Sequence, residues 1–210
     1  MNSIISQCDH TRLYRFVSTH LLSTFAASPE LYDQALIDNN RANDGPIEIQ
    51  KYLREGNYPD WIHFPVIFHQ IDGHRLLDVI ESRRTFFDLI SERVISLMEK
   101  ECFTGWKSYP VIVLDRKKEI VSGYCGLSVT GRGGRIQYLK DGRAINYNYR
   151  KEDQVYDVNK WDGSDFFLVS GGGIFVTERV MTTLKKNRIT GVKFLPIEDN
   201  YTIRGSVTYY

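Results

Sequence analysis

Residues 91–111 read S-E-R-V-I-S-L-M-E-K-E-C-F-T-G-W-K-S-Y-P-V, and residues 177–197 read T-E-R-V-M-T-T-L-K-K-N-R-I-T-G-V-K-F-L-P-I. Laid on each other without a gap, at an offset of 177 − 91 = 86, 8 of the 21 positions are identical. They are Glu92/Glu178, Arg93/Arg179, Val94/Val180, Lys100/Lys186, Thr104/Thr190, Gly105/Gly191, Lys107/Lys193 and Pro110/Pro196. Ser91/Thr177, Met98/Leu184 and Val111/Ile197 are close exchanges. Self-similarity at a fixed offset takes precedence over other fold signals, and two copies are too few for a solenoid. The chain therefore uses one supersecondary unit twice.

The unit has a physical reading. Short apolar runs, Phe86 to Ile90 and Ile174 to Val176, enter as strands. Ser91 and Thr177 stand at N-cap positions, each with a hydroxyl able to take a free amide of the first turn. Glu92 and Glu178 follow where the helix dipole favours negative charge. Val94, Leu97 and Met98 fall at i, i+3 and i+4 and form a buried stripe, repeated by Val180 and Leu184. Lys100 and Lys186 close the helices, Gly105 and Gly191 turn the chain, and second strands follow at Tyr109–Leu114 and Val192–Ile197. Strand, short helix, strand used twice, among further strands, defines an α+β fold with a mixed or antiparallel sheet.

Working outward, Leu13 to Val17 reads as a strand and Leu21 to Ala27 as a short helix. Residues 29–61 read as surface helices and turns, broken at Ser28-Pro29, Asp44-Gly45-Pro46 and Tyr58-Pro59. Trp61 to Gln70 is strand-like, and Asp72-Gly73 signals a hairpin ahead of Arg75 to Ile80. Asp115 to Lys118 is a turn, Ile120 to Val129 a strand, and residues 130–134 a flexible basic turn. Lys140-Asp141-Gly142-Arg143 is a second hairpin turn, and Asp165 to Ser170 a strand that leads through Gly171–Gly173 into the second copy. Residues 1–60 form an acidic N-terminal segment packed on a main α+β domain, 61–210, that holds the duplication.

Composition is that of a soluble globular protein: 42% hydrophobic, 25% charged and 13% aromatic. No apolar run approaches the roughly 18 residues of a membrane helix, and there is no signal peptide, so the expected location is the cytoplasm, without membrane association. Three cysteines, Cys8, Cys102 and Cys125, show no ligand spacing. A net charge of +1 gives no global argument for nucleic acid, and no direct nucleic-acid partner is expected. The charge is uneven: residues 1–80 hold 6 Lys/Arg against 10 Asp/Glu, and 29–60 alone hold 3 against 7.

Candidate chemistry is sparse. Gly131, Gly133 and Gly134 suggest a phosphate loop, but such a loop needs a helix N-terminus behind it. Strands follow here, so turn chemistry is the better account, as it is for Gly171–Gly173. His10, His20, His63, His69 and His74 include no H-E-x-x-H, and the expectation is no metal site and no cofactor. Cys125 has no histidine near in sequence to activate it. The repeated Glu-Arg pairs read as structural, because catalytic groups are seldom needed twice at equivalent places. Trp106, Tyr109 and Trp161 read as core or rim aromatics.

Four strings, T-G-W-K-S-Y-P-V from Thr104, G-Y-C-G-L-S-V-T-G-R-G-G from Gly123, S-G-G-G-I-F-V-T-E-R from Ser170 and I-T-G-V-K-F-L-P-I from Ile189, together resemble a bacterial family. It was first catalogued as a domain of unknown function and later assigned to predicted immunity proteins of polymorphic toxin systems. The resemblance covers roughly residues 60–200. The chain departs from the pattern at Gly133, where the family often has cysteine, so no thiol role carries over. The resemblance implies an α+β protein, not an enzyme and without catalytic residues, that binds and neutralises a cognate toxin domain encoded nearby. Standard interfaces bury ~800 Å² per partner around aromatic anchors. In 29–61 the candidates are Tyr32, Asp33, Asp38, Asp44, Tyr52, Glu55, Tyr58, Asp60 and Trp61, with a solvated acidic face as the plain alternative. Rival readings are a small enzyme acting on nucleic acid or nucleotide through the Gly-rich turns, and a non-catalytic adaptor.

Overall fold

The computed structural model of the chain describes residues 12–19, 21–30, 46–82, 88–140, 143–144, 154–156, 160–170 and 173–197. Its strands are β1 (Leu13–Ser18), β2 (Ala26–Pro29), β3 (Val66–Asp72), β4 (Val79–Glu81), β5 (Asp88–Ser91), β6 (Trp106–Leu114), β7 (Tyr124–Val129), β8 (Gly131–Lys140), β9 (Arg143–Ala144), β10 (Gln154–Tyr156), β11 (Phe166–Ser170), β12 (Gly173–Thr177) and β13 (Val192–Pro196). The described helices are α1 (Pro46–Glu55), α2 (Glu92–Lys100) and α3 (Glu178–Lys186). The fold is α+β with mixed sheets. One sheet runs β10-β8-β11-β12-β1-β13, with β9 beside β8, and the other runs β2-β3-β6-β7-β5-β4.

The duplicated unit is real in three dimensions. β5-α2-β6 and β12-α3-β13 follow the same strand–helix–strand path. Each entering strand is half of an antiparallel hairpin, β4 with β5 and β11 with β12. Each unit is completed by a strand antiparallel to both of its own. β7 pairs β5 and β6 in the first half, and β1, from the far end of the sequence, pairs β12 and β13 in the second. The helices bury the anticipated stripes, Val94 and Met98 in α2, Val180 and Leu184 in α3; Leu97 is only half-buried. These side chains meet between the halves in one core with Phe16, Ile90, Leu127, Val129, Phe166 and Val176. Gly105 and Gly191 have φ of +79° and +85°, and a Cβ would stand 2.0 Å from the Phe166 carbonyl oxygen in one half and 2.1 Å from that of Val79 in the other. Only glycine fits either turn.

Reciprocal clasps join the halves. Asp78 accepts from Ser91 Oγ at 3.1 Å and from Arg93 Nη1 at 3.2 Å within its own half, and from the Thr190 amide (2.9 Å) and hydroxyl (2.8 Å) of the other. Asp165 accepts from Thr177 Oγ1 at 3.0 Å and Arg179 Nη2 at 2.6 Å, and across the join from the Thr104 amide (3.0 Å) and hydroxyl (3.2 Å). Each arginine also crosses over, Arg93 to the carbonyl of Asn187 and Arg179 to that of Glu101, 2.9 Å away. These carbonyls lie at the ends of α3 and α2, where cations are favoured. Partial burial alone would raise both carboxyl pKa values. The bonds from Thr190, Ser91 and Arg93 in one clasp, and from Arg179, Thr104 and Thr177 in the other, outweigh it and hold both below the usual range.

The second sheet curls until its ends touch. Bridges Ala27–Ser82 and Thr24–Arg75 bring β2, and Thr24 ahead of it, to the segments on either side of β4. Inside the curl lie Phe68, Ile80, Leu89, Tyr109 and Val113, with Leu53 of α1 against them. α1 is held there by Ser128, whose hydroxyl donates to the Leu53 carbonyl.

Four local expectations are corrected. Leu21 to Ala27 is a turn and the start of β2, because the Thr24 hydroxyl donates to the Leu21 carbonyl and accepts from its amide. Asp72 ends β3 and Gly73, with a φ of +57°, leads out of it, but no hairpin forms, since β3 and β4 stand far apart in the sheet order. Residues 131–134 begin β8, which runs parallel to β11; Gly131 allows close approach to Ser164 and Phe166, and Gly134 to Lys160. Thr177 occupies the N-cap but makes no cap bond, as its hydroxyl is turned to Asp165, whereas Ser91 does accept from the Val94 amide at 3.4 Å.

Candidate interaction surface

The sequence-selected residues divide into three groups. Tyr32, Asp33, Asp38 and Asp44 lie outside the described residues. Tyr52 and Glu55 stand at the C-terminal end of α1, and Tyr58, Asp60 and Trp61 in the loop behind it. The structure brings Tyr52 and Trp61 together edge to face at 5.8 Å, both half-buried on the inner core. Tyr58 turns inward: its ring meets Phe64 at 5.0 Å and Tyr109 at 6.0 Å, and its hydroxyl lies 2.7 Å from Ser128 Oγ. Burial pushes the Tyr58 phenol pKa up in spite of that bond. Lys107 Nζ lies 4.1 Å over the Tyr58 ring, a cation–π contact. Glu55 reaches Arg132 at 3.5 Å, and Asp60 is exposed.

Sequence reasoning did not single out a second surface, on the outside of the curled sheet. Tyr109, Val111 and Val113 of β6 point inward to the core, so Ile112 and Leu114 point outward. In β3, Val66 and Phe68 point inward, and Ile67, His69 and Ile71 outward. Register sets Ile67 beside Ile112 and His69 beside Leu114, and a bridge sets Ile120 opposite Leu114. Ile67 is 37% exposed, Ile71 38% and Ile120 70%. His69 lies among them, 2.7 Å from Glu30 Oε2. Exposed Arg116, Lys117, Lys118 and Glu119 border the face at the β6–β7 turn. The signal in the sequence was the i, i+2, i+4 spacing of Ile67, His69 and Ile71, which a strand with both faces partly apolar obscures.

Other groups are accounted for by structure. A cleft of about 330 Å³ at the join of the halves is lined by Thr104, Gly105, Thr130, Gly131, Asp162, Gly163 and Ser164. The Asp162 carboxylate there accepts from the Arg132 amide at 2.7 Å and the Ser164 amide at 3.0 Å. The strand expected over Trp61 to Gln70 begins only at Val66, so His63 precedes it, and His74 is exposed. Among the described residues no three His, Cys, Asp or Glu gather as metal ligands. Burial and nearby Glu92 push the Cys125 thiol up, which favours the unreactive thiol form. No described helix is long and apolar enough to cross a membrane.

No protein-family model matches the chain, and no curated protein sequence matches it.

Proposed function

We propose that the chain is an immunity protein that binds and neutralises a cognate toxin acting in the cytoplasm, without turnover of its own. The observation that carries this reading is the use made of the repeated polar residues. Arg93, Arg179, Thr104 and Thr190 all serve the two Asp-centred clasps, which supports reading the duplication as a scaffold. An inhibitor needs that and a complementary surface. The toxin itself comes from the resemblance of the Thr104, Gly123, Ser170 and Ile189 strings to the immunity family.

The test is co-expression with the toxin domain encoded beside the gene. Cells should survive induction of the toxin only when this chain is present, and the two purified proteins should form a complex. Failure to protect, with both proteins soluble, would remove the reading. Turnover of nucleic acid, nucleotide or NAD by the purified chain alone would replace it with an enzymatic one.

A further inference from the structure

The pairing register extends the duplication beyond the strand–helix–strand unit. Along the entering strands, Leu13↔Thr177 and Tyr14↔Val176 repeat Tyr124↔Ser91 and Cys125↔Ile90. Along the leaving strands, Val17↔Lys193 and Ser18↔Val192 repeat Ser128↔Lys107 and Val129↔Trp106. β1 therefore corresponds to β7 residue for residue, at an offset of 124 − 13 = 111. The next strands agree as well: β3 lies antiparallel to β2, and β10 to β8. One repeat begins at β1 and the next at β7, and each sends its first strand into the other half. That is the connectivity of a strand-exchanged pair, held within one chain. We infer that β1 is exchangeable between molecules: two copies of this chain trade β1, each closing the other's second half. This exchange does not depend on toxin binding.

β1 is the strand that is free to move. β7 is tied to β6 by a closed turn, in which the Asp115 amide donates to the Glu119 carbonyl at 2.9 Å and the Val121 amide to that of Val113 at 2.8 Å. β1 precedes every other described element, and its ladders, among the described residues, run to β12 and β13. It leaves that slot without threading a loop, trailing a connection to β2 of 25 − 18 = 7 residues. The slot specifies its occupant. It buries Leu13 and Phe16 and pairs both edges of the strand, so a second copy's β1 makes the same bonds and contacts as the chain's own. The two forms differ at the connection, and there the monomer is the poorer. Leu21 is 60% exposed and Leu22 86%. Leu76, 47% exposed, follows a segment that the Ser23 carbonyl holds through the His74 and Arg75 amides. In an exchanged dimer the two connections straighten and pass each other at the two-fold axis, which covers these leucines.

The test is whether β1 lies in its own chain or in another. Arg15 and Leu195 are paired by register and both exposed, so Arg15→Cys with Leu195→Cys sets two thiols opposite each other outside the core. Cys8→Ser and Cys102→Ser remove competing thiols. The full chain is unfolded, refolded over a range of concentrations, oxidised, and run denatured without reductant. Exchange should give a covalent dimer. While monomer dominates, the dimer-to-monomer ratio should rise about 10-fold for an about 10-fold rise in chain concentration, by mass action. Leu21→Ser with Leu22→Ser should lower that ratio about 10-fold or more, as loss of buried apolar groups at a contact does. A bridge that forms only within single chains at every concentration overturns the proposal, whether those chains sediment as monomers or as dimers. An unchanged ratio in the leucine variant overturns it too, since the hinge contact is what favours exchange. If the cysteine pair prevents folding, the unaltered chain supplies the answer. Refolded at high concentration and then diluted, it should hold a dimer that dissociates only as fast as the slot between β12 and β13 opens. A dimer that separates at once, or none at all, rules exchange out.

Discussion

Burial of Asp88 gives the chain a pH dependence opposite in sign to that of its clasps. Asp88 is fully enclosed, and desolvation, with Glu81 nearby, pushes its pKa up to about 7 against the pull of the Ser18 hydroxyl and Arg54. Above an unfolded value near 4 the unfolded chain loses this proton while the folded chain keeps it. Stability from this group therefore falls as pH rises from about 4 to about 7, by up to ~1.4 kcal/mol per pH unit. Asp78 and Asp165 have lowered pKa values, so their contribution is present above about 4 and is lost only as pH falls further. Asp88→Asn should raise stability by a few kcal/mol at pH 8 and by little at pH 4, measured by urea unfolding across that range. A flat difference between the two proteins would show that Asp88 is ionised throughout. None of this was legible in the sequence, where F-F-D-L-I gives no sign that an aspartate stands inside, a residue type seldom buried without a partner.

The repeated element was legible, and its fastening was not. Helix caps, stripes and turn glycines follow local rules, so α2 and α3 could be placed from spacing alone. Asp78 and Asp165 are separated by 165 − 78 = 87, one more than the offset of the helices, because the first hairpin is one residue longer. An ungapped comparison passes over them. Removing a buried partner of such a clasp leaves desolvated donors, so Asp165→Ala should cost about 2–4 kcal/mol. Thr104→Val with Asp165→Asn should show coupling of at least ~0.5 kcal/mol in a double-mutant cycle, although the residues are in different halves. Ser91→Ala should cost about 1 kcal/mol as a lost cap. Thr177→Ala should cost a similar ~1 kcal/mol, through the bond to Asp165 instead of through its helix. If Arg179→Ala restores full stability to Asp165→Ala, charge burial rather than the crossed bonds explains the cost.

At the scale of the molecule, the shared core and crossed clasps make the halves one cooperative unit. Thermal unfolding should give a calorimetric enthalpy equal to the van't Hoff enthalpy; two separated transitions would mean that each half stands alone. The α+β class and the duplication could be read from the chain, but the curl of the second sheet could not, since it depends on contacts between β2 and the segments that flank β4. Nor could the placement of β1. The four strands of the first half lie within residues 79–129, a span of about 50, while β1 at residue 13 waits for β12 at 173, about 160 residues on. Closing the longer loop costs about 1 kcal/mol more chain entropy. During translation the first half can therefore assemble as it emerges, while β1, with Leu13 and Phe16 destined for burial, stays uncovered until β13 has been made. Pulse-labelled hydrogen exchange on refolding should protect the amides of β5 and β7 before those of β1 and β13. The nascent chain thus carries an unsheltered apolar strand for most of its synthesis, and a ribosome-associated chaperone would meet that strand first.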